Sequence, residues 1–115
     1  MKLKQVSEIL QAKVLTGRPW EDIEVHSACG CDLMSDVLAF VKDQALLLTG
    51  LVNPQVIRTA EMMDIKTIVF VRGKVPQGSV LELAEEMGMT IMTTALPLYV
   101  ACGELYQNGL KSKEV

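Results

Sequence analysis

Residues 45–71 read ALLLTGLVNPQVIRTAEMMDIKTIVFV. The run Ala45 to Thr49 is apolar on every second and every intervening position and too short for a helix, which is the pattern of a strand buried on both faces. Asn53-Pro54 then supplies a capping side chain followed by proline at the first helical position. Val56, Ile57, Ala60 and Met63 recur at i, i+1, i+4 and i+7, so one face of the segment that follows is apolar. A second fully apolar run, Thr67 to Val71, closes the unit. Strand, helix, strand is a βαβ unit, and its two strands lie parallel.

The same pattern continues in both directions. Downstream, Val80, Leu81, Ala84 and Met87 form a second helix face before the short run Thr90 to Thr93, and shifting the chain by 24 residues superposes Val56 on Val80, Ala60 on Ala84, Glu61 on Glu85 and Met63 on Met87. Ser79 with Glu82 reads as a capping box, and Gly88 and Gly109 stand where left-handed residues close helices. A last helix runs from about Pro97 through Tyr106 with Leu98, Ala101 and Leu105 inward. Upstream, Ile23 to Ala28 reads as a strand, and Leu33, Val37, Leu38 and Val41 as a helix face entered from Asp32 or Ser35. Leu3, Val6, Ile9 and Leu10 give an opening helix, and Lys13 to Thr16 an edge strand. The order α-β-β-α-β-α-β-α-β-α predicts a three-layer α/β sandwich with a mainly parallel sheet of about five strands. Residues 1–22 supply the first helix and edge segment, 23–110 the core, and the whole of 1–115 one domain.

Composition narrows the function classes. Half of the 115 residues are hydrophobic and 22% are charged, enough apolar material for a core. The formal charge of -3, with Lys2, Lys4, Lys111 and Lys113 in the end segments, argues against nucleic acid as a partner, whose phosphates demand clustered cations. No apolar stretch has the length of a membrane span or the form of a signal peptide, and the three cysteines do not suit a disulfide framework, so a reduced, cytoplasmic setting is expected.

The stretch LLLTGLVNPQVIRTAEMMDIKTIVFVRGKVPQGSVLELAEEMGMTIMTTALPLYVACGELY, with DLMSDVLAFV upstream of it, resembles the DRTGG domain family over roughly residues 25 to 110. An apolar strand ending Thr-Gly, a helix, a second apolar strand and the segment LELAEEMGMTIMTT carry the likeness. Leu51-Val52 stands where the family has Asp-Arg, and Val71-Arg72-Gly73 where it has Thr-Gly-Gly. The resemblance implies a fold like the N-terminal domains of HPr kinase/phosphorylase and of Mur ligases. It also implies regulation or ligand sensing, since such domains stand alone or are joined to CBS or phosphotransacetylase domains. The stand-alone type looks like proteins encoded near iron-only hydrogenases, which suggests a redox-enzyme subunit as a partner. There is no Walker A loop for a kinase.

In parallel sheets ligands gather beyond the carboxyl ends of the strands. The loops there are Ser27 to Asp32, Gly50 to Asn53, Arg72 to Gly78 and Thr94 to Leu96. They nominate Ser27, Cys29, Gly30, Cys31, Asp32, Thr49, Gly50, Asn53, Arg72, Gly73, Thr93 and Thr94 as a ligand-binding set for a small anion such as a nucleotide or phosphorylated metabolite, with Arg72 as the charged clamp. Rival readings attach to single features. His26, Cys29 and Cys31 with Cys102 could ligate a metal but lack paired C-x2-C knuckles; a strand-to-helix turn in which Gly30 takes a positive φ explains them better. Cys31 could be a reactive thiol at a helix start. Asp32 and Asp36 could hold magnesium but suit a helix start, and Glu85-Glu86 lie on a solvated face. No catalytic constellation emerges; the chain reads as a non-enzymatic domain without cofactor or metal. Seven methionines and a positive mean hydropathy suggest a homodimer or partner contact through Met34, Met62 or Leu51-Val52.

Overall fold

The computed structural model describes residues 1–40 and 45–111. Its elements follow the order α1 (Leu3–Leu10), β1 (Lys13–Thr16), β2 (Ser27–Gly30), α2 (Met34–Phe40), β3 (Ala45–Thr49), α3 (Pro54–Met62), β4 (Thr67–Phe70), α4 (Gly78–Glu86), β5 (Thr90–Thr93) and α5 (Leu98–Gln107). The five strands form one sheet in the order β1-β5-β4-β3-β2. β2, β3, β4 and β5 are mutually parallel, and β1 runs antiparallel along β5. This is the predicted α/β architecture, with helices on both faces of a mostly parallel sheet.

Every residue of β3 and β4 is buried, so their side chains alternate between two cores. Leu47, Ile68, Phe70 and Ile91 face α2, α3 and α4 through Val37, Val56, Ile57, Ala60 and Ala84. Leu46, Leu48, Val69, Val71 and Met92 face α1 and α5 through Leu3, Val6, Leu10, Ala101 and Leu105. The opposite parity of neighbouring residues is the period-2 geometry of a strand.

Local chemistry sets three of the helix ends. The Asn53 side chain accepts the Val56 N–H at 3.3 Å ahead of Pro54, and Gly88 and Gly109, at φ 70 and 106, close α4 and α5. α4 corrects the expected capping box: it starts at Gly78, with Gln77 at the cap and no side-chain hydrogen bond. Ser79 therefore sits inside the first turn, where the Val80 and Leu81 N–H groups already bond the Gln77 carbonyl.

Two further expectations are corrected upstream. β2 begins at Ser27 rather than Ile23, because the N-terminal segment claims the preceding residues: the Leu3 N–H bonds the Ile23 carbonyl at 2.9 Å and the Val25 N–H bonds the Met1 carbonyl at 2.9 Å. Cys29 and Gly30 thus belong to the strand. α2 buries Met34 and Val37 and leaves Leu38 exposed, as is Leu33 just before the helix; Val41 and Lys113 lie outside the described residues. Buried Met34 is unavailable as a contact surface, whereas Met62 is 72% exposed, and Leu51 and Val52 are half-buried against the core.

A bulge between Val14 and Thr16 interrupts the β1–β5 ladder. There the buried Thr16 hydroxyl donates to the Met89 carbonyl at 2.9 Å and accepts the Ile91 N–H at 3.2 Å, replacing ladder bonds that the bulge removes. From the packing, Leu47→Ala is expected to cost about 2–5 kcal/mol in urea unfolding, as large-to-small core changes do, while Met62→Ala stays within about 0.5 kcal/mol.

Candidate functional site at the carboxyl edge of the sheet

Parallel register brings the strand ends into line. Gly30 pairs with Leu48, Thr49 with Phe70, and Phe70 with Thr93, so the segments leaving β2, β3, β4 and β5 share one rim. Asp32, Thr49, Gly50, Arg72, Gly73 and Thr93 occupy it, and Asn53 stands just behind at the start of α3.

The β2 and β3 exits are joined by Asp32. Its Oδ1 accepts the Gly50 N–H at 2.7 Å and the Thr49 hydroxyl at 2.9 Å, and the Thr49 oxygen in turn accepts the Leu51 N–H at 3.1 Å. Two donors converging on one carboxylate oxygen are charge-assisted and short. Beyond its expected places at a helix start and in the ligand-binding set, the Asp32 side chain crosses to the next strand, a contact between residues 17 and 18 apart that no local spacing encodes.

The β4 and β5 exits are joined by backbone. Arg72 has φ 58, in the left-handed region, followed by Gly73 at φ 68. This turn lets the Arg72 N–H donate to the Leu96 carbonyl and the Gly73 N–H to the Thr94 carbonyl, both at 2.8 Å. A left-handed arginine costs on the order of 1 kcal/mol. The exposed side chain then runs back over Gly50: a Cβ placed on that glycine would lie 2.7 Å from Arg72 Nη2. Gly50 is thus glycine because a guanidinium occupies the space above it. Among the described residues, Arg72 forms no ion pair.

Other nominated residues are placed differently. Ser27 opens β2, opposite Ala45, at the amino end of the sheet, so it stands away from the rim because the strand starts later than expected. Thr94 is buried, its hydroxyl donating to the Leu10 carbonyl at 2.7 Å; it ties α1 to the sheet and faces no solvent. The Thr93 hydroxyl donates to the Lys74 carbonyl at 2.7 Å and stays at the surface. Gly30 is absent from the positive-φ residues. Its lack of a side chain admits the Cys102 sulfur from α5 instead, in direct contact with the position a Cβ would take. Gly30, Leu48, Cys102 and Leu105 line an apolar cleft of about 280 Å³ between β2 and α5.

The thiols are three half-buried free cysteines. The Cys31 sulfur accepts the Leu33 N–H at 3.4 Å at the entry to α2. Burial, then the neighbouring Cys31, Cys102 and Asp36, push Cys29 up from 9.0 to about 11, and burial also raises Cys102. His26 is exposed, and among the described residues no group of three or more His, Cys, Asp or Glu side chains is placed to hold a metal ion.

No protein-family model and no curated protein matches the chain. Among solved structures, it is similar to the CBS and DRTGG domains of the regulatory region of Clostridium perfringens pyrophosphatase, determined in complex with the activator diadenosine tetraphosphate, with a TM-score of 0.76 at 13% identity. That likeness supports a DRTGG-related fold. It covers 98% of this chain and 51% of the other, so the chain spans about half the length of the solved chain it matches. In addition, no helix of the described residues is long and apolar enough to cross a membrane.

Two outcomes follow from the geometry. Gly50→Ala is expected to fold with a loss below about 1 kcal/mol, because the obstacle is the movable tip of an arginine, whereas Gly17→Ala, at φ 94 and 2.6 Å from the Thr90 backbone, is expected to lose several times more in the same thermal melt. Cys29 is a neutral thiol in the folded state until pH is about 11. The unfolded thiol ionises earlier, so its contribution to stability is intact below pH 9.0 and declines as pH rises from there to about 11; Cys29→Ala should flatten that alkaline decline in urea titrations.

Proposed function

We propose that the protein is a non-enzymatic regulatory module that binds a small anionic ligand, a nucleotide or phosphorylated metabolite, at the carboxyl edge of its sheet. The observation that carries this reading is Arg72: a cation without an ion-pair partner among the described residues, held over Gly50 by a left-handed backbone, in line with Thr49 and Thr93. A guanidinium offers a planar fork suited to phosphate oxygens. Gly30, the last residue of β2, lines the apolar cleft against α5 next to the β3 exit that carries Thr49 and Gly50, an arrangement that favours a ligand with a flat apolar part beside its charge, as in a nucleotide. The fold likeness to a regulatory region solved with a nucleotide activator points the same way.

The test is thermal melting with diadenosine tetraphosphate, ATP and inorganic pyrophosphate. A ligand at a hundred times its Kd adds about 2.7 kcal/mol to stability, which moves the midpoint of a chain this size by roughly 10 °C. Arg72→Ala should melt as the parent does without ligand and show no shift with it. Absence of a shift with all three compounds overturns the reading.

A second reading, association with a second copy or with a subunit of a redox enzyme, is favoured by α5, where Tyr99 is 89% exposed and Val100 and Tyr106 are also exposed. Aromatic side chains are enriched where proteins meet. Light scattering should then give a dimer mass that Tyr99→Ser with Tyr106→Ser reduces to that of the monomer, and a monomer for the parent chain removes the self-association.

A further inference from the structure

The carboxylate of Asp32 holds the donors on β3 that an anion at this rim would use. A phosphate at a strand exit is ordinarily gripped by the N–H and hydroxyl groups of the turn that follows the strand. On β3 those are the Gly50 N–H and the Thr49 hydroxyl, both on buried residues, and both donate to Asp32 Oδ1, at 2.7 and 2.9 Å. A buried N–H without an acceptor is costly, and here the acceptor is a negative charge supplied by the chain itself.

We infer that Asp32 is a resident counter-anion of the rim, which a ligand anion displaces from Gly50 and Thr49. The inference rests on the anion-binding reading above. An anion that pairs with Arg72 arrives over Gly50, since Nη2 lies 2.7 Å from that residue's Cβ position. It meets the carboxylate on the same residue's N–H, and two anions competing for one donor repel each other. Only one of them keeps the Gly50 N–H.

Exchange has a direction. Asp32 lies two residues before α2, and it binds the β2 exit to the β3 exit. Released, it loosens the entry to α2, where Leu33 just before the helix and Leu38 within it are exposed. Occupancy of the rim is thereby reported to a helix on the other side of the sheet from α5, through one carboxylate.

The experiment is calorimetric titration of the full chain with inorganic pyrophosphate, for the parent, Asp32→Ala, Asp32→Asn and Arg72→Ala, with amide hydrogen exchange at Gly50 and through residues 34–40. Removing the internal competitor is expected to tighten pyrophosphate binding by about tenfold in Asp32→Ala, the size of one charge-assisted hydrogen bond. Asp32→Asn, which keeps an acceptor without its charge, should fall between, and serves alone if the alanine variant does not fold. In the parent, pyrophosphate should speed exchange in residues 34–40 while Gly50 stays protected; in Asp32→Ala, Gly50 should exchange fast until pyrophosphate is added. Binding that Arg72→Ala abolishes but that Asp32→Ala and Asp32→Asn leave equal or weaken makes Asp32 a brace or a ligand contact, and overturns the exchange while sparing the anion site. Pyrophosphate that binds none of the four proteins, with Gly50 exchanging fast in Asp32→Ala whether or not it is present, overturns both.

Discussion

Burial of β3 and β4 on both faces is the constraint from which the rest of the structure follows. With no side of either strand open to water, each needs a helix layer above and below. Each backbone polar group must also find a ladder partner, because an unpaired one in that interior costs as much as a lost hydrogen bond. A register slip of one residue would exchange Leu46 and Leu48 for Leu47, placing each against the wrong helices. The register is therefore tightly held, and the alignment of Thr49, Phe70 and Thr93 at one end is its by-product. The rim exists because the core cannot slide.

Elements that announce themselves by period or cap were legible from the amino acids: the parallel strands, the Asn53-Pro54 entry to α3, the glycine closures at Gly88 and Gly109, and the edge position of Lys13 to Thr16. Elements whose limits depend on a distant segment were not. β2 starts late because residues 1–3 bond to residues 23–25, and α4 starts one residue before its capping motif because backbone bonds to Gln77 are made first. The candidate site divides in the same manner. Strand-end positions such as Thr49, Arg72 and Thr93 could be placed from the βα rhythm, but the bond from Asp32 to Gly50 and the burial of Thr94 against Leu10 join loops far apart in the chain.

The two glycines near the rim make the same point in steric terms. Glycine in a turn suggests a positive φ, yet Gly30 and Gly50 have none. Each is small because something else occupies the place of its side chain, the Cys102 sulfur in one case and the Arg72 guanidinium in the other. Close approach and left-handed backbone leave an identical mark in a sequence, and coordinates separate them. The distinction bears on function, since a glycine kept free for an arginine tip can be changed without breaking the backbone.

The likeness to a regulatory region at 13% identity concerns the arrangement of strands and helices. Such a level of identity is what shared burial demands produce, because a doubly covered sheet constrains size and polarity far more than side-chain identity. Chemistry at the rim must therefore be argued from the residues that this chain places there. Those residues are the Asp32 carboxylate, already engaged with the Gly50 and Thr49 donors, and the Arg72 guanidinium, which forms no ion pair among the described residues; under the proposed exchange an arriving anion is drawn by Arg72 and repelled by Asp32. A site built only of cations would hold anions indiscriminately, whereas in the proposed exchange a resident carboxylate would raise the threshold, so that only a ligand with additional contacts would stay bound. Internal competition of that kind would serve the proposed regulatory role, since a sensor must release its ligand when the concentration falls.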